Sequence, residues 1–75
     1  MMRIAPRIVV DDQIQAGKPV VDGTRVPVEV VLGVLGAGES VDQVMVEYRL
    51  EREDVLACLA YAASVVSGEE IRQVN

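Results

Sequence analysis

Basic side chains carry most of the chemistry this sequence offers. Lys18 and Arg25 bracket the run Pro19-Val20-Val21-Asp22-Gly23-Thr24. Positive charge on a tight turn, with exposed backbone N–H groups beside it, is sufficient for contact with phosphate. With Arg7 near the start and Arg52 at the head of the last helical segment, they form the set of candidate nucleic-acid or partner contacts. Each also has a plainer reading. Lys18 fits a solvated face, and Arg25 fits a fork-like donor to Asp22, Glu29 or another carboxylate. Bond-making chemistry has little to stand on. The chain has no histidine. Its single cysteine, Cys58, lies in an apolar helical stretch without an activating base, where a thiol acts as a small hydrophobe. Asp11-Asp12 and Asp22 occupy positions where turns favour aspartate through its own side-chain acceptor, so they make weak metal ligands. Gly17-Lys18 lacks the longer glycine spacing, and the Ser or Thr after the lysine, of a phosphate-binding loop. The expectation is a protein with no catalytic residues, no metal and no cofactor.

Short elements must position these residues. Arg7-Ile8-Val9-Val10 reads as a strand stopped by Asp11-Asp12, after a frayed lead-in over Met1 to Pro6. Gln13 to Ala16 has room for a single turn before Gly17. Asp22-Gly23 is a strong hairpin dipeptide of the type I′ class, between Val20-Val21 and Thr24-Arg25-Val26 as short strands. Pro27 suits the first position of a helix over residues 28 to 35, apolar on nearly every side and therefore central. Gly38 is the candidate left-handed residue that ends it. Ser40 opens a second helix with Gln43 placed to complete a capping box, and Val41, Val44, Met45 and Tyr48 follow the amphipathic spacing. Leu50 then plugs the core.

A third helix starts near Arg52 with Glu53 and Asp54 in its first turn. It carries one apolar stripe at Val55, Leu56, Leu59, Ala62 or Ala63, and Val66. A second stripe, Cys58, Tyr61 and Val65, runs beside it. Two stripes serve more than one neighbour, so Cys58, Tyr61 and Val65 are the candidate dimer or partner interface. Ser67-Gly68 is expected to stop the helix, leaving residues 67–75 as a mobile tail.

Seventy-five residues form one domain near the lower limit for a self-sufficient core. With neither Phe nor Trp, that core rests on aliphatic side chains, and a homodimer sharing a second apolar surface is the natural remedy. The net charge of −5 is unevenly spread: residues 1–27 sum to +1 and residues 28–75 to −6. Attraction to nucleic acid must therefore come from the N-terminal part. One cysteine, no basic segment leading into an apolar leader and no apolar run near 18 residues fit a cytoplasmic protein without a membrane span.

The stretch Gly17-Lys18-Pro19-Val20-Val21-Asp22-Gly23-Thr24-Arg25-Val26-Pro27-Val28-Glu29 resembles the signature of the DUF433 family. The likeness continues through Gly38, Glu39-Ser40-Val41, Tyr48, and Glu53-Asp54-Val55 to Tyr61-Ala62, covering residues 8 to 63. Asp12 departs from the proline common at that position. The resemblance implies a mainly α fold with a small N-terminal β-hairpin: a helix-turn-helix or winged-helix-like (homeodomain-like) three-helix domain. Residues 8–27 would form the hairpin region and 28–66 the helical region. Some family members are assigned as VapB45-like antitoxins of type II toxin–antitoxin pairs. The implied function is an antitoxin-like protein that neutralises a PIN-like nuclease toxin encoded beside it, with operator DNA as a further partner. The alternatives are a stand-alone DNA-binding regulator, or a structural interaction module with neither role. Residues 40–48 and 52–66 have helix-turn-helix spacing, which any small helical bundle also produces. The acids Glu51, Glu53 and Asp54 at the head of the third helix favour its dipole more readily than they suit phosphate.

Overall fold

Two turns with one residue each in the left-handed region set the first third of the chain. In the computed structural model, which describes residues 1–74 and their side chains through Gly68, β1 (Met2–Ala5) and β2 (Ile8–Val10) are joined by Pro6-Arg7. Arg7 takes φ 65°. Proline before a residue with positive φ is the signature of a type II turn, and it pairs Ala5 with Ile8. The lead-in expected to fray is thus a strand, pairing Met2 with Val10 and Arg3 with Val9 across a bulge. The second turn closes on Asp22-Gly23 with Thr24 N–H donating to Val21 O at 3.0 Å. Only Gly23 has positive φ there, 79°, so the turn fits type II and not the expected type I′.

β3 is correspondingly short, Val20–Val21, and pairs antiparallel with β2 through Ile8 with Val21 and Val9 with Val20. The sheet order is β1-β2-β3, which leaves β1 at an edge. Thr24-Arg25-Val26 makes no strand. The Thr24 hydroxyl instead donates to Val21 O and accepts from Val26 N–H, folding the segment into a tight loop. Between β2 and β3, Gln15, Ala16 and Gly17 all have positive φ. Two of them are not glycine, a conformation that costs roughly 1–2 kcal/mol per residue. Hydrogen bonds from Gly17 N–H to Ile14 O and from Lys18 N–H to Gln15 O hold this single turn.

α1 (Val28–Gly36) begins at the expected residue and runs one residue past the expected end, but Pro27 is not its first residue. Pro27 is the N-cap, extended at ψ 142°, and its carbonyl accepts from Val30 and Val31. At the other end Gly38 N–H reaches Leu35 O and Glu39 N–H reaches Val34 O. With Gly38 at φ 105°, this is the Schellman ending that its glycine predicts. α2 (Val41–Tyr48) has the complete Ser40/Gln43 capping box. Arg49 then turns the chain in the left-handed region at φ 57°, and Leu50 is buried as expected.

α3 runs from Arg52 to Val74 and packs against α1, α2 and β2. Ser67-Gly68 does not stop it. Residues 67–75 were expected to leave it as a mobile tail; the helix continues through Val74, and the side chains of residues 69–75 lie outside the described residues. The core joins Ile8 and Val21 of the sheet to Val28, Val31, Val44, Leu50, Val55 and Cys58. No helix among the described residues is long and apolar enough to cross a membrane.

Candidate interaction surfaces

The head of α3 is a knot of charge. Asp54 N–H and Val55 N–H donate to Glu51 O at 3.0 and 3.3 Å. In return Glu51 N–H donates to Asp54 Oδ2 at 2.9 Å, so Asp54 satisfies an N–H at the helix start that has no intrahelical partner. The second oxygen of Asp54 accepts from Arg7 Nη1 at 2.8 Å, and Glu51 Oε1 accepts from the same nitrogen at 3.0 Å. The carboxylate of Asp54 is mostly buried in this contact. The hydrogen bond to Asp54, and then that to Glu51, hold the Arg7 guanidinium above its already high pKa. Arg7 O meanwhile accepts from Asp22 N–H at 2.8 Å. One residue in a strained turn thus ties the sheet, the second turn and α3 together. Its charge serves that tie.

The other sequence candidates are spread over separate edges. Lys18 Nζ reaches Glu29 Oε1 at 2.6 Å, and Arg52 pairs with Asp42. Arg3, outside the candidate set, holds Asp22 at 2.8 Å. Each of these pairs is exposed, contributes less than about 1 kcal/mol and exchanges readily with solvent. With Asp22 and Glu29 engaged by Arg3 and Lys18, Arg25 has no ion-pair partner among the described residues. Its side chain is exposed, while its carbonyl accepts from Gln15 Nε2 at 3.2 Å. Arg49 is likewise exposed and without an ion pair among the described residues. It was missed in the sequence because nothing there marks an arginine as the left-handed residue between two helices.

The proposed stripe Cys58, Tyr61 and Val65 divides. Cys58 is fully buried in the core, so it cannot meet a partner. Desolvation, and then the charge of Asp54, push its thiol up to about 11. Tyr61 is half-buried and lines a shallow groove of about 270 Å³ with Lys18, Pro19, Val28, Glu29 and Leu32. Val65 is exposed. The other stripe divides too: Val55 is buried, whereas Leu56, Leu59 and Val66 face outward. A helical wheel gives the angle between two stripes but not the side on which the body of the protein lies.

A further surface lies on the outer side of α2. Val46 is 82% exposed, and Glu39, Asp42, Gln43 and Glu47 surround it. Among the described residues no three His, Cys, Asp or Glu side chains are grouped to hold a metal ion. Asp11 Oδ1 accepts from Gln13 N–H at 2.9 Å, the turn role its position suggests.

A three-stranded antiparallel sheet followed by three helices defines a small, mainly α protein. The family model described as "Protein of unknown function (DUF433)" matches residues 8–62, and the chain belongs to that family. A search of curated proteins finds no match. The crystal structure of Rv2018 from Mycobacterium tuberculosis is similar, with a TM-score of 0.64 and 35% sequence identity. That likeness covers 69% of this chain but 24% of Rv2018, so the chain spans about a quarter of that protein's length.

Proposed function

We propose that this chain is a non-catalytic, antitoxin-like protein that binds and neutralises a PIN-like nuclease. The observation that carries the reading is the outer face of α2, where an exposed Val46 sits among Glu39, Asp42 and Glu47. A nuclease needs positive potential around its substrate groove to draw in a phosphate backbone. Carboxylates framing an apolar contact meet such a groove with complementary charge, which speeds encounter and selects the partner. The apolar centre supplies desolvated contact once the surfaces meet.

The test is co-expression with the PIN-like nuclease encoded beside this gene, with growth and co-purification as readouts. Rescue of growth and a complex of defined mass are expected. Reversing the face with Glu47→Lys and Val46→Lys should abolish rescue while the isolated protein keeps its melting temperature. A nuclease that remains toxic and purifies alone would sink the reading.

Operator binding by a helix-turn-helix, with α2 and α3 joined through Arg49-Leu50-Glu51, is the second reading. Arg25 and Arg49, exposed and without ion pairs among the described residues, favour it. The carboxylates at the head of α3 weigh against groove entry by that helix. DNA affinity that falls steeply with salt, and falls again in Arg25→Gln, would support it.

A further inference from the structure

Arg52 stands at the wrong end of its helix. As the first residue of α3 it places a cation where the helix dipole favours an anion, beside Glu53 and Asp54, which suit that end. Its one ion pair among the described residues crosses to the first turn of α2, where Nη2 donates to Asp42 Oδ1. The pair is open to water, with 52% of the Arg52 side chain and 78% of that of Asp42 exposed. Asp42 is one of the three carboxylates that frame Val46. The other two, Glu39 and Glu47, have no ion-pair partner among the described residues. Gln43, the remaining polar side chain of that frame, is committed to the capping box, accepting from Ser40 N–H at 2.7 Å. Arg52 therefore covers part of the charge on the face that α2 offers to a partner.

We infer that Arg52 is an internal competitor for the partner's cation: it occupies Asp42 in the free protein and releases it when the outer face of α2 docks. The inference rests on the nuclease reading of that face and adds a requirement on the partner. Because a guanidinium already holds Asp42, a docking surface gains from this carboxylate only by offering a donor at least as good. Lysine is a compact, strongly hydrated point charge, whereas arginine presents a planar fork that can take both carboxylate oxygens. The nuclease thus places an arginine opposite the first turn of α2. A surface whose charge comes from lysine alone meets a face one carboxylate poorer. Selection of this kind comes from an opposing element built into the binder itself. Release is easy, since exposed pairs hold weakly, and the freed Arg52 stays solvated at the edge of the contact.

Titration calorimetry of the full chain against an inactivated form of the adjacent PIN-like nuclease tests it. Arg52→Gln should tighten binding about threefold. Arg52→Lys, a weaker competitor, should fall between the native chain and Arg52→Gln. Asp42→Asn should weaken binding, and in the Asp42→Asn background Arg52→Gln should no longer tighten it. A general effect of net charge would instead tighten both backgrounds alike. Melting temperatures check that these exposed substitutions leave the fold intact. A complex that forms but is unmoved or weakened by Arg52→Gln, or tightened equally in both backgrounds, overturns the inference and leaves the nuclease reading standing. No complex with the native chain overturns both.

Discussion

The two halves of α3 are one continuous helix built on opposite principles. From Arg52 to Cys58 its inner side is fastened, although Leu56 faces outward: Asp54 holds Glu51 N–H and Arg7, Arg52 holds Asp42, and Val55 and Cys58 are fully buried. From Leu59 onward Leu59, Val65 and Val66 are each at least two-fifths exposed, and among the described residues Tyr61 is the last α3 side chain packed on the core. Continuity of backbone hydrogen bonds therefore does not imply uniform stability, because tertiary packing supplies most of a helix's stability in a protein. Residues of the same chemical type have different value in the two halves.

Substitutions that treat the halves alike should expose the difference. Val55→Asp places an unpaired charge in the core, a cost of several kcal/mol, and should abolish cooperative unfolding by circular dichroism. Leu59→Glu, one turn later, should leave the melting temperature of the dilute protein nearly unchanged. Equal losses at the two sites would break the comparison. Asp54→Ala removes both the bond to Glu51 N–H and that to Arg7. It should lower stability by about 2 kcal/mol in urea unfolding, whereas Glu51→Gln, on the exposed arm of the same knot, should cost less than about 0.5 kcal/mol.

Cys58 gives the fastened half a dependence on pH. Its thiol is raised in the folded state to about 11, so above its ordinary pKa the unfolded chain loses the proton first. Stability from this source is complete below about pH 8.5 and is lost as pH rises toward the folded value. The urea midpoint should therefore fall more steeply between pH 8 and 10.5 in the native chain than in Cys58→Ala. The smallest effect belongs to the free half. A Cβ at Gly68 would meet nothing within 4 Å, so Gly68→Ala improves local helix propensity by about 1 kcal/mol. It should deepen the helical dichroism signal and leave the urea midpoint where it was. A shifted midpoint would mean that the distal half unfolds together with the core.

Local signals in the sequence carried much of this fold. Ser40 with Gln43, Gly38 after α1, and the spacing of Val41, Val44 and Tyr48 each specify a structure within a few residues, and each appears as expected. The failures share a cause, since they depended on partners far along the chain. β1 reads as a weak lead-in because Met-Arg-Ile-Ala has little strand character until Val9 and Val10 pair with it. Pro6 was the available clue to its turn, but a left-handed arginine after it is stabilised by Glu51 and Asp54, over forty residues away. The expected end of α3 at Ser67-Gly68 weighed a glycine as a stop signal, yet a helical glycine only lowers propensity. For the candidate surfaces, residue types were readable and allegiances were not. Arg7 joined a structural knot, Cys58 the core, and Arg25 neither of the carboxylates nearest in sequence.

The position of β1 has a colloidal consequence. An edge strand offers a row of unpaired backbone groups as a template for other chains, and a charged side chain is a common guard against that. Here Arg3 sits between Met2 and Ile4, both exposed, and is the one charge in the strand. Its worth therefore lies less in the surface pair with Asp22 than in keeping molecules apart when the protein is concentrated. Arg3→Val should barely alter unfolding yet shorten the time to turbidity on storage, as followed by light scattering.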